Sequence, residues 1–336
     1  MNTRYQKQTL FLGNASQQQL SQAHVLIIGA GALGSTSSEM LARAGVGSIT
    51  IVDRDYVEYT NLQRQQLYTE EDANNKLPKT VAAKNRLQQI NSEITIHPHI
   101  VDINASTIES FVQNKSLIID ATDNFETRLV VNDAAVKHGI PFIFGACVGS
   151  YGLTYSILPG ETPCLHCLMN HLPLDGMTCD TVGVISPIVQ IIASLQVTQA
   201  FKLLMGQPVA PILQSMDIWK DERAEITISS MKNKHCPTCG EQATYPYLAY
   251  ENQMKTAVLC GRDAVQIRPS TPHTLSFNDL GERLKPLATQ IIINPYLLAC
   301  TLEEYRVVLF KDGRAIIHGT SDASRARIIY NRIIPM

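Results

Sequence analysis

The sequence predicts an α/β protein in which a domain with a mixed sheet precedes a small α+β domain. Three observations support this prediction. Residues 25–55 read as strand, glycine turn, helix and strand, the order of one βαβ unit. Strand-like runs without helical crossovers follow Pro141, and short strands with turn signals follow Gly240. We therefore expect a first domain over residues 1–244 and a second over residues 245–336.

The first βαβ unit contains the turn Gly29-Ala-Gly31-Ala-Leu-Gly34 and a helix that Gly45 ends. Gly29 would allow the tight turn, Gly31 would let the backbone approach a phosphate, and Gly34 would let the helix pack closely on the sheet. The helix N-terminus would offer free N–H groups to that phosphate. Asp53 ends the second strand, where a carboxylate can accept hydrogen bonds from ribose hydroxyls. This context favours an adenine nucleotide in a Rossmann-like domain over a purely structural turn.

Composition is that of an ordinary soluble protein. The 336 residues are 45% hydrophobic and carry a net charge of −2, so no basic surplus indicates a nucleic-acid partner. The N-terminus lacks the apolar core of a signal peptide, and we expect a cytoplasmic protein. The apolar stretch 182–205 includes three glutamines and a lysine, so we expect a core helix that starts at Ser186-Pro187, not a membrane span.

A polar loop follows Asp53 at the carboxyl end of its strand, which is where open α/β sheets place ligands. Its candidate ligand-binding residues are Asp55, Asn61, Arg64 and Gln65. Lys79 follows Pro78 at the start of the next predicted helix. A basic side chain in a first turn opposes the helix dipole, so we expect another reason for its position.

Asp123 lies just beyond the apolar run 117–120. If the strands are parallel, its carboxylate is close to the glycine turn and can hold Mg²⁺ on the phosphates of a nucleotide. The alternative is that Asp123 caps the helix predicted over residues 125–138, and its position alone does not decide between the two roles.

Eight cysteines, four of them in two C-x-x-C pairs, favour metal binding in a reducing compartment over disulfides. The pairs supply the four thiolates of a tetrahedral structural zinc site, which we favour over a redox use of either pair. These predicted ligands are Cys164, Cys167, Cys236 and Cys239. We do not expect His166, inside the first pair, to be a ligand. Cys179 lies in a polar loop before a helix, where it is either a reactive thiolate or inert. Cys147, Cys260 and Cys300 lie in apolar runs and are expected in the core.

Taken together, the glycine turn, the polar loop, the P-K and A-T-D-N motifs and the cysteine pairs resemble the family that activates ubiquitin-like proteins. The similarity spans residues 4–240 and is greatest to the bacterial sulfur-carrier adenylyltransferases of molybdopterin and thiazole biosynthesis. The resemblance implies that ATP adenylates the terminal carboxylate of a small carrier protein ending in Gly-Gly, which then takes up sulfur as a thiocarboxylate.

The resemblance also implies roles for individual residues. Asp53 would bind ribose, Arg64 and Lys79 would contact phosphates, and Asp123 would hold Mg²⁺. Asp55, Asn61 and Gln65 flank these positions, and the four paired cysteines match the zinc ligands.

Two further features concern the partners. Lys7 stands where the family usually has an arginine that reaches the ATP of a partner subunit, which implies a homodimer. Lysine lacks the bidentate fork of arginine, so we expect a weaker contact from Lys7 or a substitute from Arg4. Cys179 matches a cysteine that forms a persulfide link with the carrier in the thiazole branch.

We therefore predict an ATP-, Mg²⁺- and Zn²⁺-dependent adenylyltransferase acting on the small subunit of molybdopterin synthase. The alternative carrier is that of thiazole (thiamin) biosynthesis. A nicotinamide-dependent oxidoreductase is a rival prediction, because Asp53 suits NAD equally well, and a non-catalytic carrier-binding homologue is another. Residues 245–336 lack a convincing rhodanese active loop, and their role is not predicted.

Overall fold

The computed structural model describes residues 3–169, 182–249, 256–259, 263–269 and 275–334. They form two compact units, the first within residues 1–177 and 183–252 and the second within residues 178–182 and 253–336.

An eight-stranded mixed sheet organises the first unit, with strand order β3-β2-β1-β4-β5-β6-β7-β8. The strands are β1 (His24–Ile28), β2 (Ser48–Asp53), β3 (Thr95–Ile100), β4 (Leu117–Asp120), β5 (Phe142–Val148), β6 (Tyr151–Ile157), β7 (Ile212–Asp217) and β8 (Glu222–Thr227). Pairing is parallel from β3 through β5 and antiparallel from β5 through β8. The predicted α/β class and mixed sheet are confirmed, although β7 and β8 were not predicted.

Helices cover both faces of this sheet. They are α1 (Gln6–Leu12), α2 (Asn14–Gln22), α3 (Ala32–Ala44), α4 (Glu70–Asn74), α5 (Lys79–Ile90), α6 (Glu109–Val112), α7 (Phe125–Lys137), α8 (Leu165–Leu168) and α9 (Ser186–Leu204). As predicted, α3 ends at Gly45, which adopts a left-handed φ of +81°. Helix α6 begins only at Glu109, because the Asn104 side chain accepts a hydrogen bond from the Ser106 N–H and holds a turn before it.

The core of the first unit lies on both faces of the sheet, as expected for parallel strands. Within β1, Val25 and Ile27 pack on one face, and Leu26 and Ile28 on the other. Judged by length and composition alone, helix α9 is long and apolar enough to cross a membrane. Within its 18-residue apolar stretch, 39% is buried inside the protein. Its buried side chains pack on the face of the sheet that carries Val25 and Ile27, as predicted for a core helix.

A six-stranded antiparallel sheet forms the second unit, with strand order β11-β12-β13-β14-β10-β9. Its elements are β9 (Thr256–Leu259), β10 (Ala264–Ile267), α10 (Phe277–Leu284), β11 (Thr289–Ile293), β12 (Leu297–Leu302), β13 (Tyr305–Phe310), β14 (Ala315–His318) and α11 (Ala323–Ile333). Strands β13 and β14 form a hairpin, in agreement with the short strands and turn signals expected after Gly240. Cys147 and Cys300 are buried as predicted, and Cys260 lies outside the described residues.

Candidate functional site

The glycine turn lies at the carboxyl end of β1. Gly29 has a φ of +95°, and a Cβ there would lie 2.4 Å from the carbonyl oxygen of Ala121, so only glycine fits. A Cβ on Gly34 would lie 1.9 Å from the carbonyl oxygen of Gly29. Gly34 therefore packs α3 against the turn itself, whereas the sequence analysis assigned this packing to the sheet. At Gly31 the nearest atom to a Cβ would be Nε2 of Gln65 at 3.8 Å, so this side of the turn is open.

Asp53 holds the turn from the neighbouring strand. Its Oδ2 accepts a hydrogen bond from the Ala30 N–H at 2.6 Å, and its Oδ1 accepts one from the Asp55 N–H at 2.7 Å. Burial raises the pKa of Asp53, and the nearby Lys79 ammonium opposes this rise. Because each carboxylate oxygen has two lone pairs, Asp53 can hold the turn and still accept hydrogen bonds from hydroxyl groups.

Lys79 forms a buried ion pair with Asp55. Its side chain is 3% exposed, and Nζ lies 3.2 Å from Asp55 Oδ2. The Lys79 N–H also donates to the Asp55 carbonyl oxygen at 2.9 Å. This pair explains why a cation occupies the first turn of α5, where the helix dipole alone disfavours it.

The other residues of the polar loop have distinct environments. Asn61 is buried, and its Oδ1 accepts a hydrogen bond from the Glu58 N–H at 3.0 Å, which shapes the loop. Arg64 is half-buried, and its Nη1 donates to the Thr60 carbonyl oxygen at 2.9 Å. Gln65 is buried, and its Oε1 has no hydrogen-bond partner among the described residues. Gln65 therefore presents a polar amide beside the open side of the glycine turn.

The loop after β4 lies against the glycine turn through Ala121 and carries Asp123 at the surface. Asn124, not Asp123, caps α7, because its Oδ1 accepts a hydrogen bond from the Thr127 N–H at 2.9 Å. The alternative that Asp123 caps this helix is therefore wrong. Asp123 lies near enough to Arg54 to affect it electrostatically, as do Asp53 and Asp55, so the predicted carboxylates share one edge of the sheet.

Two arginines at this edge, Arg54 and Arg128, were not among the predicted site residues. Arg54 Nη1 lies 3.1 Å from Asp102 Oδ1, and although burial lowers the pKa of Arg54, the surrounding carboxylates raise it overall. Arg128 Nε lies 3.1 Å from the buried Asp120 Oδ2. Its Nη2 donates to the carbonyl oxygens of Thr122 at 2.6 Å and Gly145 at 3.1 Å. The sequence does contain a signal for the pair of Asp120 and Arg128, because Asp120 is a charged residue at the end of an apolar run.

The four paired cysteines form one cluster, as predicted. All four Sγ atoms lie within 4.8 Å of one another. Cys164 and Cys236 are 3.6 Å apart, and Cys167 and Cys239 are 3.5 Å apart. Tetrahedral Zn²⁺ with Zn–S bonds of about 2.3 Å separates its ligands by about 3.8 Å. The donor set and spacing therefore fit a single zinc ion.

Three remaining candidates lie away from this edge or outside the description. Lys7 is exposed on α1. Arg4 donates through Nη1 to the Ile90 carbonyl oxygen at 2.9 Å, so it attaches the N-terminal segment to the end of α5. Cys179 lies outside the described residues.

Comparison with known proteins identifies a family and several relatives. The ThiF family matches residues 5–238. A sulfur carrier protein ThiS adenylyltransferase of Bacillus subtilis is 53% identical over 336 residues, covering 99% of this chain and 100% of that protein. A molybdopterin-synthase adenylyltransferase of Salmonella typhimurium is 34% identical over 243 residues, covering 71% of this chain and 96% of that protein.

A solved structure shares the fold of about 71% of the chain. Escherichia coli MccB in complex with ATP superposes with a TM-score of 0.62 at 24% identity, over 71% of this chain and 75% of that one. At this identity the similarity concerns the fold alone.

Proposed function

This chain belongs to the ThiF family and is a sulfur-carrier adenylyltransferase, and we propose that its carrier is a ThiS-type protein of thiamin biosynthesis. One observation carries the proposal. The relative from Bacillus subtilis matches over 99% of the chain, including the second unit, whereas the molybdopterin-synthase relative from Salmonella typhimurium covers 71%. The molybdopterin branch favoured by the sequence analysis is therefore less well supported than its alternative.

The residues around the glycine turn fit a nucleotide, and ATP is the adenylyl donor of this family. The support is the open side of Gly31, the N-terminus of α3 and the unpartnered amide oxygen of Gln65. In this proposal Asp53 accepts hydrogen bonds from the ribose hydroxyls. Arg64 and Lys79 contact the phosphates, and Asp55 keeps the Lys79 side chain in position.

Adenylation joins two anions, the carrier carboxylate and the α-phosphate, with loss of pyrophosphate. The chain's own contribution is then to position the reactants and to offset their repulsion, which Arg64 and Lys79 do as fixed cations. Asp123 supplies an exposed carboxylate at the same edge, as a Mg²⁺ ligand requires, and the ion would neutralise phosphate charge. Asn61 fixes the loop that carries Arg64.

No protein nucleophile is needed for this step, so Cys179 is dispensable for adenylation. We propose that Cys179 acts only in the later sulfur transfer. Its thiolate would take the outer sulfur of an external persulfide donor, which leaves as a thiol, and the Cys179 persulfide would then attack the acyl-adenylate, displace AMP and form an acyl disulfide with the carrier. We also propose that the carrier ends in Gly-Gly, since a narrow peptide tail without side chains can closely approach a nucleotide at the open side of Gly31.

The cysteine cluster would hold one Zn²⁺ with a structural role, because its four thiolates leave no coordination position open. We propose a cytoplasmic homodimer in which Lys7, exposed on α1, contacts the nucleotide of the partner subunit. We assign ATP, carrier and zinc binding to residues 1–244, and we assign no activity to residues 245–336.

The test is pyrophosphate exchange with purified carriers. The full chain with MgATP is incubated with a ThiS-type carrier or with the small subunit of molybdopterin synthase, and carrier-dependent exchange and the intact mass of the carrier are measured. We expect exchange and an AMP adduct with the ThiS-type carrier. Exchange with the molybdopterin carrier alone would show that the proposed branch is wrong. Binding of the carrier without exchange would indicate a non-catalytic homologue, and preferential binding of NAD over ATP would indicate an oxidoreductase.

A further inference from the structure

Three polar side chains connect α7 with both cysteine pairs. Asp133 on α7 is fully buried, and its Oδ1 accepts a hydrogen bond from Thr238 Oγ1 at 2.6 Å. Thr238 is also fully buried and lies between Cys236 and Cys239. His166 lies inside the other pair, and its Nδ1 is 3.3 Å from the same Thr238 hydroxyl. The sequence analysis treated His166 only as a residue that is not a ligand.

The direction of these hydrogen bonds follows from the chemistry of the groups. A threonine hydroxyl has one proton, and an ionised carboxylate only accepts. The short distance to Asp133 therefore identifies the carboxylate as the acceptor of the Thr238 proton. The Thr238 oxygen then accepts from His166, so the imidazole carries a proton on Nδ1.

Further hydrogen bonds attach the same region to α7. Asp133 Oδ2 accepts from the Tyr247 N–H at 2.8 Å, and the Tyr247 ring lies 5.7 Å from the His166 ring. The neighbouring Asn132 Oδ1 accepts from the Leu165 N–H at 2.8 Å, beside Cys164. Both cysteine pairs are thus fixed to one helix by contacts made entirely within the protein.

We propose that Asp133, Thr238 and His166 form a polar bridge that preorganises the four thiolates for Zn²⁺. This inference rests on the zinc site proposed above. The four sulfur atoms lie within 4.8 Å of one another, and without the ion no strong attraction between them would keep unrestrained pairs together. The bridge holds the pairs at ligand distance, so zinc binding does not have to order two independent chain segments. Asp133, Thr238 and His166 are positioning residues and contact no substrate.

The first test is the rate of zinc release from the purified full-length protein to a chromogenic chelator. Thr238→Val keeps the side-chain shape and removes the hydroxyl that joins the two pairs. We expect zinc release about 10- to 100-fold faster than in the wild type, the usual effect of removing groups that orient metal ligands. Thr238→Ser keeps the hydroxyl and should release zinc at close to the wild-type rate.

Thr154→Val is the matched control. Thr154 is 2% exposed, and its hydroxyl donates to the Phe144 carbonyl oxygen at 2.8 Å, so this variant also loses one buried hydrogen bond. Its zinc release should be that of the wild type. Equal acceleration in Thr154→Val and Thr238→Val would overturn the bridge, because the effect would then reflect general loss of stability.

His166→Phe keeps the test decisive if Thr238→Val does not fold. His166 is half-buried, and phenylalanine retains the aromatic contact with Tyr247 while removing the Nδ1 donor. We expect several-fold faster zinc release and an altered thiolate-to-cobalt absorbance after Co²⁺ substitution. Wild-type release and absorbance in His166→Phe would overturn the bridge. A wild-type protein that binds no zinc would instead refute the zinc site itself, so the two failures are distinguishable.

Discussion

Asp123 is an exposed residue in the loop after β4, directly before the residue that caps α7. From the sequence it is either a helix cap or a magnesium ligand, and Asn124 takes the capping role. Asp123 does not cap α7 itself, and its exposed carboxylate accepts a hydrogen bond from Asn124 Nδ2 at 3.4 Å.

We predict that Asp123→Ala lowers carrier-dependent pyrophosphate exchange by at least about 100-fold, because phosphate charge would no longer be offset by a fixed metal ion. The melting temperature should remain that of the wild type, because the residue is exposed. Glu126→Gln is the control, since it removes a nearby carboxylate from the first turn of α7 and should retain exchange. Normal exchange in Asp123→Ala would exclude this residue from the mechanism.

The Lys79–Asp55 pair gives a second prediction at the residue scale. Both side chains are buried, so Lys79→Met removes the ion-pair partner of a buried carboxylate and should lower the free energy of unfolding by about 3–5 kcal/mol. The double variant with Asp55→Asn should be less destabilised than the sum of the single variants. Urea denaturation measures both effects.

An exposed pair of similar geometry provides the comparison. Lys285 and Glu282 are 2.6 Å apart but 64% and 71% exposed, so Lys285→Met should change stability by less than about 0.5 kcal/mol. Equal effects of Lys79→Met and Lys285→Met would show that burial of the Lys79 pair does not stabilise the fold.

At the scale of elements, strands β1 to β3 bring two histidines together. The Nε2 atom of His24 on β1 lies 2.7 Å from Thr50 Oγ1 on β2. The centre of the His24 ring lies 5.5 Å from the centre of the His97 ring on β3. Burial, with smaller contributions from the charge of Lys115 and from His97, lowers the pKa of His24 to about 4. Neutral imidazole is therefore the form that the fold accommodates.

We predict that stability decreases as the pH falls from about 6.5 to about 4. The unfolded chain takes up a proton at His24 near pH 6.5, whereas the folded chain resists it, so acid favours unfolding. Allowing for solvent screening, His24 should account for about 1 kcal/mol of this loss. His24→Gln places a side-chain amide near the Thr50 hydroxyl and removes the titrating imidazole. Urea denaturation of this variant at pH 6.5 and at pH 4 should therefore show a loss of stability smaller by about 1 kcal/mol than in the wild type. An unchanged pH profile would contradict this assignment.

Sequence reasoning succeeded where local pattern determines the structure. Gly29 and Gly45 require left-handed backbone, and the C-x-x-C spacing forms its own knuckle, so both features are visible in a few residues. It failed where a pairing depends on how separate elements pack. Asp120 pairs with Arg128 across a loop, and Thr238 pairs with Asp133, 105 residues away. Strand β8 was missed because all its residues are exposed, which leaves no apolar run to detect.

At the scale of the whole molecule, the residues proposed for adenylation and zinc binding lie in the first unit. The glycine turn, the polar loop, Asp123 and the cysteine cluster all lie before residue 240. The second unit has its own apolar core, formed by strands β10 and β12 to β14 with helices α10 and α11. The molybdopterin-synthase adenylyltransferase of Salmonella typhimurium matches 71% of this chain, and the match covers 96% of that protein.

We therefore predict that a chain ending after residue 249 retains carrier-dependent pyrophosphate exchange within about threefold of the full chain. The measurement compares the two proteins at equal concentration, together with their zinc content and far-ultraviolet circular dichroism. A truncated chain that is folded and zinc-loaded but inactive would show that the second unit contributes to the reaction. Retained exchange would instead direct the search for the role of residues 253–336 to a step after adenylation, such as delivery of sulfur to the activated carrier.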